Sequence, residues 1–150
     1  FSKNTPALSP RILNKEIKLT SELSNIKVIR NYITEVCSKT NFSKEIILDI
    51  KLAVNEAHAN IIEHAYLGES KLPILFEFCI YLDKIEIIIK DKGAPMQAEK
   101  LKKSSASNMD SLEGSGLGLF LIYTLMDKVS YGSTKTENTL KLVKYNIPSV

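Results

Sequence analysis

The sequence predicts an α+β domain, a two-layer sandwich in which helices cover one face of a mixed β-sheet. Three observations predict it. Between Ile46 and Ile61 the apolar residues recur at helical spacing, with Ile50, Ala53, Val54 and Ala57 completing one broad face. From Ile74 to Lys90 the pattern changes to strict alternation across a short turn, a hairpin signature. The elements also run strand, two helices, hairpin, polar loop, helix, hairpin, which segregates helices from strands.

In order, residues 1–14 read as a flexible leader, with Pro6 and Pro10 among Ser and Asn. Residues 16–21 alternate as a short first strand. Ser24 is the expected N-cap of a helix reaching Ser38, with Ile26, Ile29, Ile33 and Val36 on its core side. Asn41-Phe42-Ser43 breaks that helix, Ser43 caps the second, and Gly68 ends it. In the hairpin, Ile74, Phe76, Phe78, Ile80 and Leu82 share one face, as do Ile85, Ile87 and Ile89, with the turn at Asp83-Lys84. Asp91-Lys92-Gly93-Ala94-Pro95 closes it. A short helix is expected over 98–103, and SSASNMDSLEGSG reads as a polar loop. Residues 117–128 are apolar on nearly every side, as in a deeply buried helix. Strands over 129–133 and 140–147 follow, separated by Thr136-Glu137-Asn138. With no internal repeat and no long linker, residues 15–150 form a single domain.

Composition narrows the function. At 150 residues, 44% hydrophobic and 25% charged, the chain has the make-up of an ordinary soluble domain with one core. A net charge of +3 is too mild to argue for direct nucleic-acid binding. Its excess lies in the first thirty residues, which hold six Lys/Arg against two Glu; this end serves a protein partner or simply solvates a tail. No apolar run approaches the ~20 residues that span a bilayer, so no membrane is expected. Phe1 in place of Met leads to the expectation of a processed, trimmed or excised N-terminus. Cys37 and Cys79 have no metal spacing and are expected as reduced, buried thiols in a cytoplasmic protein. Two histidines, His58 and His64, make a zinc site an unattractive reading.

Three stretches carry chemistry. In LAVNEAHANIIEHAY, Glu56 and Asn60 stand four apart along one border of the apolar stripe. A carboxylate and a carboxamide there can be partly desolvated and still face a ligand, or can merely flank the core. In GSGLGLF, glycines at 114, 116 and 118 let backbone amides approach a ligand at a helix start, which suits phosphate. No Lys-Ser/Thr follows them and no strand precedes them, so neither a Walker loop nor a Rossmann turn is present; a flexible hinge is the plain alternative. Asp91 at a strand end can accept a hydrogen bond from an exocyclic amine, and Gly93 removes a side chain that would block approach. Asp-Lys-Gly is also ordinary turn chemistry.

Together, E-x-x-x-N, D-x-G and G-x-G-L-G resemble the GHKL ATPase superfamily (the Bergerat fold), over about residues 16–147. Within it the chain is similar to the bacterial anti-sigma-factor serine kinases of the general-stress and sporulation type. AVNEAHANIIEHAY and LEGSGLGLFLIYTLMDKVSY carry the likeness most closely. The resemblance implies ATP and Mg²⁺ as cofactors, with Asn60 as metal ligand and Glu56 as general base toward a serine hydroxyl. It places Asp91 on the adenine amine and Gly93 beneath the ring. Gly114, Ser115, Gly116, Leu117 and Gly118 would wrap the phosphates, residues 104–113 would form a mobile lid, and Thr139 would assist at the adenine. It also implies a homodimer whose partners are a sigma factor and an anti-anti-sigma antagonist that the chain phosphorylates. The N-terminal strand and first helix are the surface expected to make those contacts.

Two departures stand out. Ala94-Pro95-Met96 replaces a second glycine that many members have after Asp-x-Gly, and stiffens that loop. Gly114 stands where some kinases of this type carry a basic residue, so Lys100, Lys102 or Lys103, or the metal alone, would neutralise the γ-phosphate; a solvated helix face is the other reading of those lysines. His64 drifts toward the core side and reads as a hydrogen-bonded structural histidine. Rival functions are a nucleotide-responsive binding module without phosphotransfer, a domain of a larger signalling regulator, and the catalytic half of a sensor histidine kinase, for which no dimerising helix with a phospho-accepting His precedes.

Overall fold

The computed structural model describes residues 11–96 and 115–146. Its strands are β1 (Arg11–Thr20), β2 (Pro73–Tyr81), β3 (Lys84–Asp91), β4 (Lys128–Ser133) and β5 (Asn138–Tyr145). The helices are α1 (Ile26–Ser38), α2 (Lys44–Asn60) and α3 (Ser115–Leu125). A single π-helical turn, Ile61–Ala65, continues α2.

The sheet has the order β1-β2-β3-β5-β4, and every neighbouring pair is antiparallel, where a mixed sheet was expected. The connections explain this. Two helices between β1 and β2 carry the chain out and back, so β2 returns antiparallel to β1. β3 and β4 do run parallel, but β5 lies between them and pairs with both.

The pleat sorts the side chains. Ile74, Phe76, Phe78 and Ile80 of β2, Ile85, Ile87 and Ile89 of β3, and Leu140 and Leu142 of β5 are buried in one cluster with Ile29 and Ile33 of α1, Ile50, Ala53, Val54 and Ala57 of α2 and Ile122 of α3. Burying each large apolar side chain is worth roughly 1.5–3 kcal/mol, and this shared layer fixes where α2 and α3 stand. The opposite face carries Lys84–Glu86 (3.1 Å), Lys141–Glu86 (3.9 Å) and Lys90–Glu77 (3.6 Å) ion pairs.

Several element ends move from their expected places. β1 begins at Arg11, within the expected leader, because backbone pairing with β2 continues to Tyr81 beyond any apolar alternation. α1 starts after a 3₁₀ turn, Leu23–Asn25, so Ser24 is not its cap; Asn25 Nδ2 instead donates to the Thr20 carbonyl at 2.8 Å. Ser43 does cap α2, its Oγ accepting from the Ile46 amide at 3.2 Å. The hairpin turn falls on Leu82-Asp83, which leaves Leu82 exposed. α3 spans Ser115–Leu125, and Lys144 Nζ closes its C-terminal end by donating to the Leu125 carbonyl at 2.6 Å while pairing with Asp49 at 3.2 Å. The short helix expected over 98–103 lies outside the described residues.

Cys37 is fully buried, and burial pushes its thiol up to about 12. Cys79 is half-buried on the charged face of the sheet, 3.6 Å from Asn14 Oδ1. His58 is fully buried on α2 with its ring edge toward Phe76, the centroids 4.8 Å apart, and neither ring nitrogen has a hydrogen-bond partner among the described residues. Burial therefore holds its pKa down at about 4, against an ordinary 6.5. The unfolded chain binds the proton first, so stability is undiminished above about pH 6.5 and falls as pH drops toward 4. The loss amounts to something on the order of 3 kcal/mol. Denaturant titrations of wild type and His58→Leu across that window should show the decline in the first and a flatter profile in the second.

Candidate functional site

The site is built where α2 ends. Ala53 and Ala57 keep the core side of α2 small, so it lies close to the sheet and to α3. Glu56 and Asn60, one turn apart on its border, are both half-buried. Gly118, in the first turns of α3, is buried directly against them. A Cβ added there would stand 2.8 Å from Glu56 Oε2 and 3.5 and 3.6 Å from the Asn60 amide nitrogen and oxygen. Glycine thus lets the N-terminal end of α3, where a helix carries a partial positive charge and amides outside its own ladder, approach both side chains. Asn60 Nδ2 is buried with no hydrogen-bond partner among the described residues. Such an orphan costs about 1–3 kcal/mol, and a half-turn of the carboxamide would offer an acceptor oxygen from the same place.

The expected phosphate loop differs in form. Ser115, Gly116, Leu117 and Gly118 belong to the first turns of α3, so the helix starts two residues before its expected beginning. Gly114, the lid over 104–113, and Lys100, Lys102 and Lys103 lie outside the described residues.

The π turn shapes the next part. It leaves the Ala65 carbonyl free of helical bonding, and the Ala94 amide donates to it at 2.9 Å. Gly93 packs so closely here that an added Cβ would collide with the Ala65 backbone. Tyr66, at the end of the turn, donates its hydroxyl to the Pro73 carbonyl (2.6 Å) and accepts from the Lys92 amide (2.8 Å). His64 is exposed at the cavity rim rather than turned to the core, because the widened turn departs from the 3.6-residue period used to place it.

Asp91 faces the helices at the end of β3 and is only 6% exposed. Its Oδ1 accepts from the Gly93 amide (2.8 Å) and from Asn138 Nδ2 (2.9 Å), which also donates to the Gly93 carbonyl (2.9 Å). Ser133 Oγ in turn donates to Asn138 Oδ1 (2.8 Å), fixing which way that amide points. Burial raises the Asp91 pKa, and these two donors pull it partly back. Asn138 is the partner that the sequence reading assigned to the turn. Thr139, the residue expected at the base, is corrected by the pleat: it sits opposite Lys90 and Gly132, on the face away from Asp91, while Asn138 sits opposite Asp91.

Between these groups lies a cavity of about 320 Å³, within the range of small-molecule pockets. Asn60 lines one part and Asp91 another, with Ala57, Ile61, Ala94, Pro95, Met96, Leu119, Ile122, Tyr131 and Leu140 forming mostly apolar walls. Among the described residues no group of His, Cys, Asp and Glu could hold a metal by itself, and no helix is long and apolar enough to cross a membrane.

Comparison with known proteins identifies the family and the fold. Residues 19–144 match the family described as the histidine kinase-like ATPase domain. The serine-protein kinase RsbW of Bacillus velezensis is 30% identical over 135 residues, which cover 87% of this chain and 84% of that one. The serine-protein kinase RsbW of Oceanobacillus iheyensis is 37% identical over 119 residues, 76% of this chain and 75% of that one. Among solved structures, the RsbU and RsbW domains of Rv1364c from Mycobacterium tuberculosis align with a TM-score of 0.66 at 17% identity, covering 91% of this chain and 34% of that one. The SiaB-SiaC complex from Pseudomonas aeruginosa aligns with a TM-score of 0.59 at 11% identity, covering 89% of each chain. With the profile match spanning most of its length and relatives of this identity and coverage, the chain belongs to the histidine kinase-like ATPase domain family, among the serine-protein kinases of the RsbW kind.

Proposed function

We propose that this chain is an ATP- and Mg²⁺-dependent protein serine/threonine kinase that acts as an anti-sigma factor in a partner switch. A domain of this family implies nucleotide binding. One observation carries the assignment to this cavity: it is lined both by a buried acceptor, Asp91, and by Asn60, which Gly118 approaches together with Glu56. Asp91 suits an adenine amine. The residues at the other end fit a nucleotide phosphate and a hard cation. The orphaned Asn60 amide lies there, its oxygen is a hard donor, and the space at Gly118 would be filled by any side chain.

In this reading Asn60 holds Mg²⁺, which would supply charge neutralisation at the phosphates. Glu56 accepts the proton of the incoming serine hydroxyl as its oxygen bonds to the γ-phosphorus and the bond to the ADP oxygen breaks. Gly118 and the start of α3 keep that carboxylate in line, and the amides of Ser115, Gly116 and Leu117 are the donors for the phosphates. The name shared by the curated relatives supports a serine as acceptor. The substrate would be an anti-anti-sigma antagonist and the second partner a sigma factor. The SiaB-SiaC structure, a complex on the same fold, fits a protein-docking role. A homodimer and a cytoplasmic setting follow from the resemblance.

Incubation with γ-labelled ATP and candidate antagonists should label the antagonist. Glu56→Gln should lose that label while binding nucleotide; undiminished transfer would remove Glu56 as base, and no uptake of ATP or ADP with magnesium by calorimetry would end the kinase reading.

Gly118→Ala should leave Tm unchanged or raise it, since alanine favours a helix by up to about 1 kcal/mol over glycine. The displaced Glu56 carboxylate should cost transfer at least about tenfold. Asn138→Ala should weaken adenine-nucleotide binding by about ten- to a hundredfold, because it frees Asp91 to turn away and leaves it buried with one donor fewer; an unchanged Kd would show that Asp91 needs no such partner.

A further inference from the structure

We propose that Tyr131 and Tyr66 are positioning residues that hold the segment 92–96 after Asp91 as a rigid wall of the cavity whose own backbone amides are already taken. The inference rests on the nucleotide reading above and deepens it. Every backbone amide from Lys92 to Met96, the described part of this loop, is engaged. Lys92 donates to Tyr66 Oη at 2.8 Å, Gly93 to Asp91 Oδ1 at 2.8 Å, Ala94 to the Ala65 carbonyl at 2.9 Å, and Met96 to Tyr131 Oη at 2.8 Å. Pro95, between the last two, has no N–H to offer.

The two phenols come from different elements. Tyr66 ends the π turn after α2 and also bonds the Pro73 carbonyl, so it ties the loop to the start of β2. Tyr131 lies on β4, the far edge strand, and its ring lines the cavity beside Met96 and Pro95. The loop is therefore anchored from both sides of the cavity. Within this segment the cavity is lined by Asp91, Ala94, Pro95 and Met96, which offer a ligand a carboxylate and apolar side chains but no free amide. A wall formed before binding loses little freedom when a base docks against it, which favours affinity over adaptability.

Tyr131→Phe keeps the ring and removes only the acceptor for the Met96 amide. In the full chain without nucleotide, hydrogen exchange at Met96 should quicken. With magnesium present, the Kd for ADP and the KM for ATP should rise together by about three- to tenfold, with kcat falling much less. Pro95→Gly, which loosens the loop without touching a phenol, should raise the same constants. Combined with Tyr131→Phe it should add less than its own effect, since both act on one loop. Unchanged exchange at Met96 would overturn the clamp. Faster exchange with unchanged Kd and KM would overturn its role in binding. Failure of the wild type to take up any nucleotide would instead strike the underlying reading, and the exchange measurement separates these cases. Pro95→Gly keeps the binding test in hand should Tyr131→Phe fail to fold.

Discussion

The close approach of the Gly93 backbone to the Ala65 carbonyl is the constraint on which the site depends. A helix must stop somewhere, and its last carbonyls need donors. Here one of those donors is supplied by Ala94, from the loop that leaves the central strand β3. The end of the helix carrying Glu56 and Asn60 is thereby welded to the strand end carrying Asp91, and only glycine at position 93 leaves room for the joint. A second glycine does the same on the other side, where Gly118 lets α3 lie against Glu56. Two missing side chains let the Asp91 loop and α3 close in on the end of α2.

Polar order then builds outward from a single buried carboxylate. Asp91 is tolerable in its apolar setting because Gly93 and Asn138 both donate to it, and Asn138 is oriented by Ser133. The Ser133–Asn138–Asp91 chain spans three strands, so the sheet positions the carboxylate as firmly as the helices position Glu56. His58 shows the contrasting case: a buried polar ring with no such donor or acceptor among the described residues, whose pKa burial holds down.

Much of this was legible in the residues, and the failures have physical causes. The apolar stripe of α2 and the alternation of β2 and β3 are strong periodic signals, and the polar residues at their ends came out on one cavity. The two hairpins declare their own antiparallel pairing, but an alternating pattern does not say how β1 joins β2 or β5 joins β3, so the antiparallel whole could not be read. A π turn breaks the period by which His64 was placed. Thr139 was one residue out because nothing apolar before Leu140 marks the parity of β5, and a buried Asn138 beside Glu137 looks like turn chemistry. The edge strand β1 is mostly exposed, which hid its first residues.

The antiparallel pairing of β1 with β2 sets an order for folding. β2 and β3 meet across a two-residue turn, so their closure loses little chain entropy. β1 reaches its partner only across both of the first two helices, with Thr20 opposite Pro73. Its docking waits on a collapsed α1–α2 pair, and such distant pairings slow the route to the native state. A strand made before both helices is thus among the last of the five to find its neighbour.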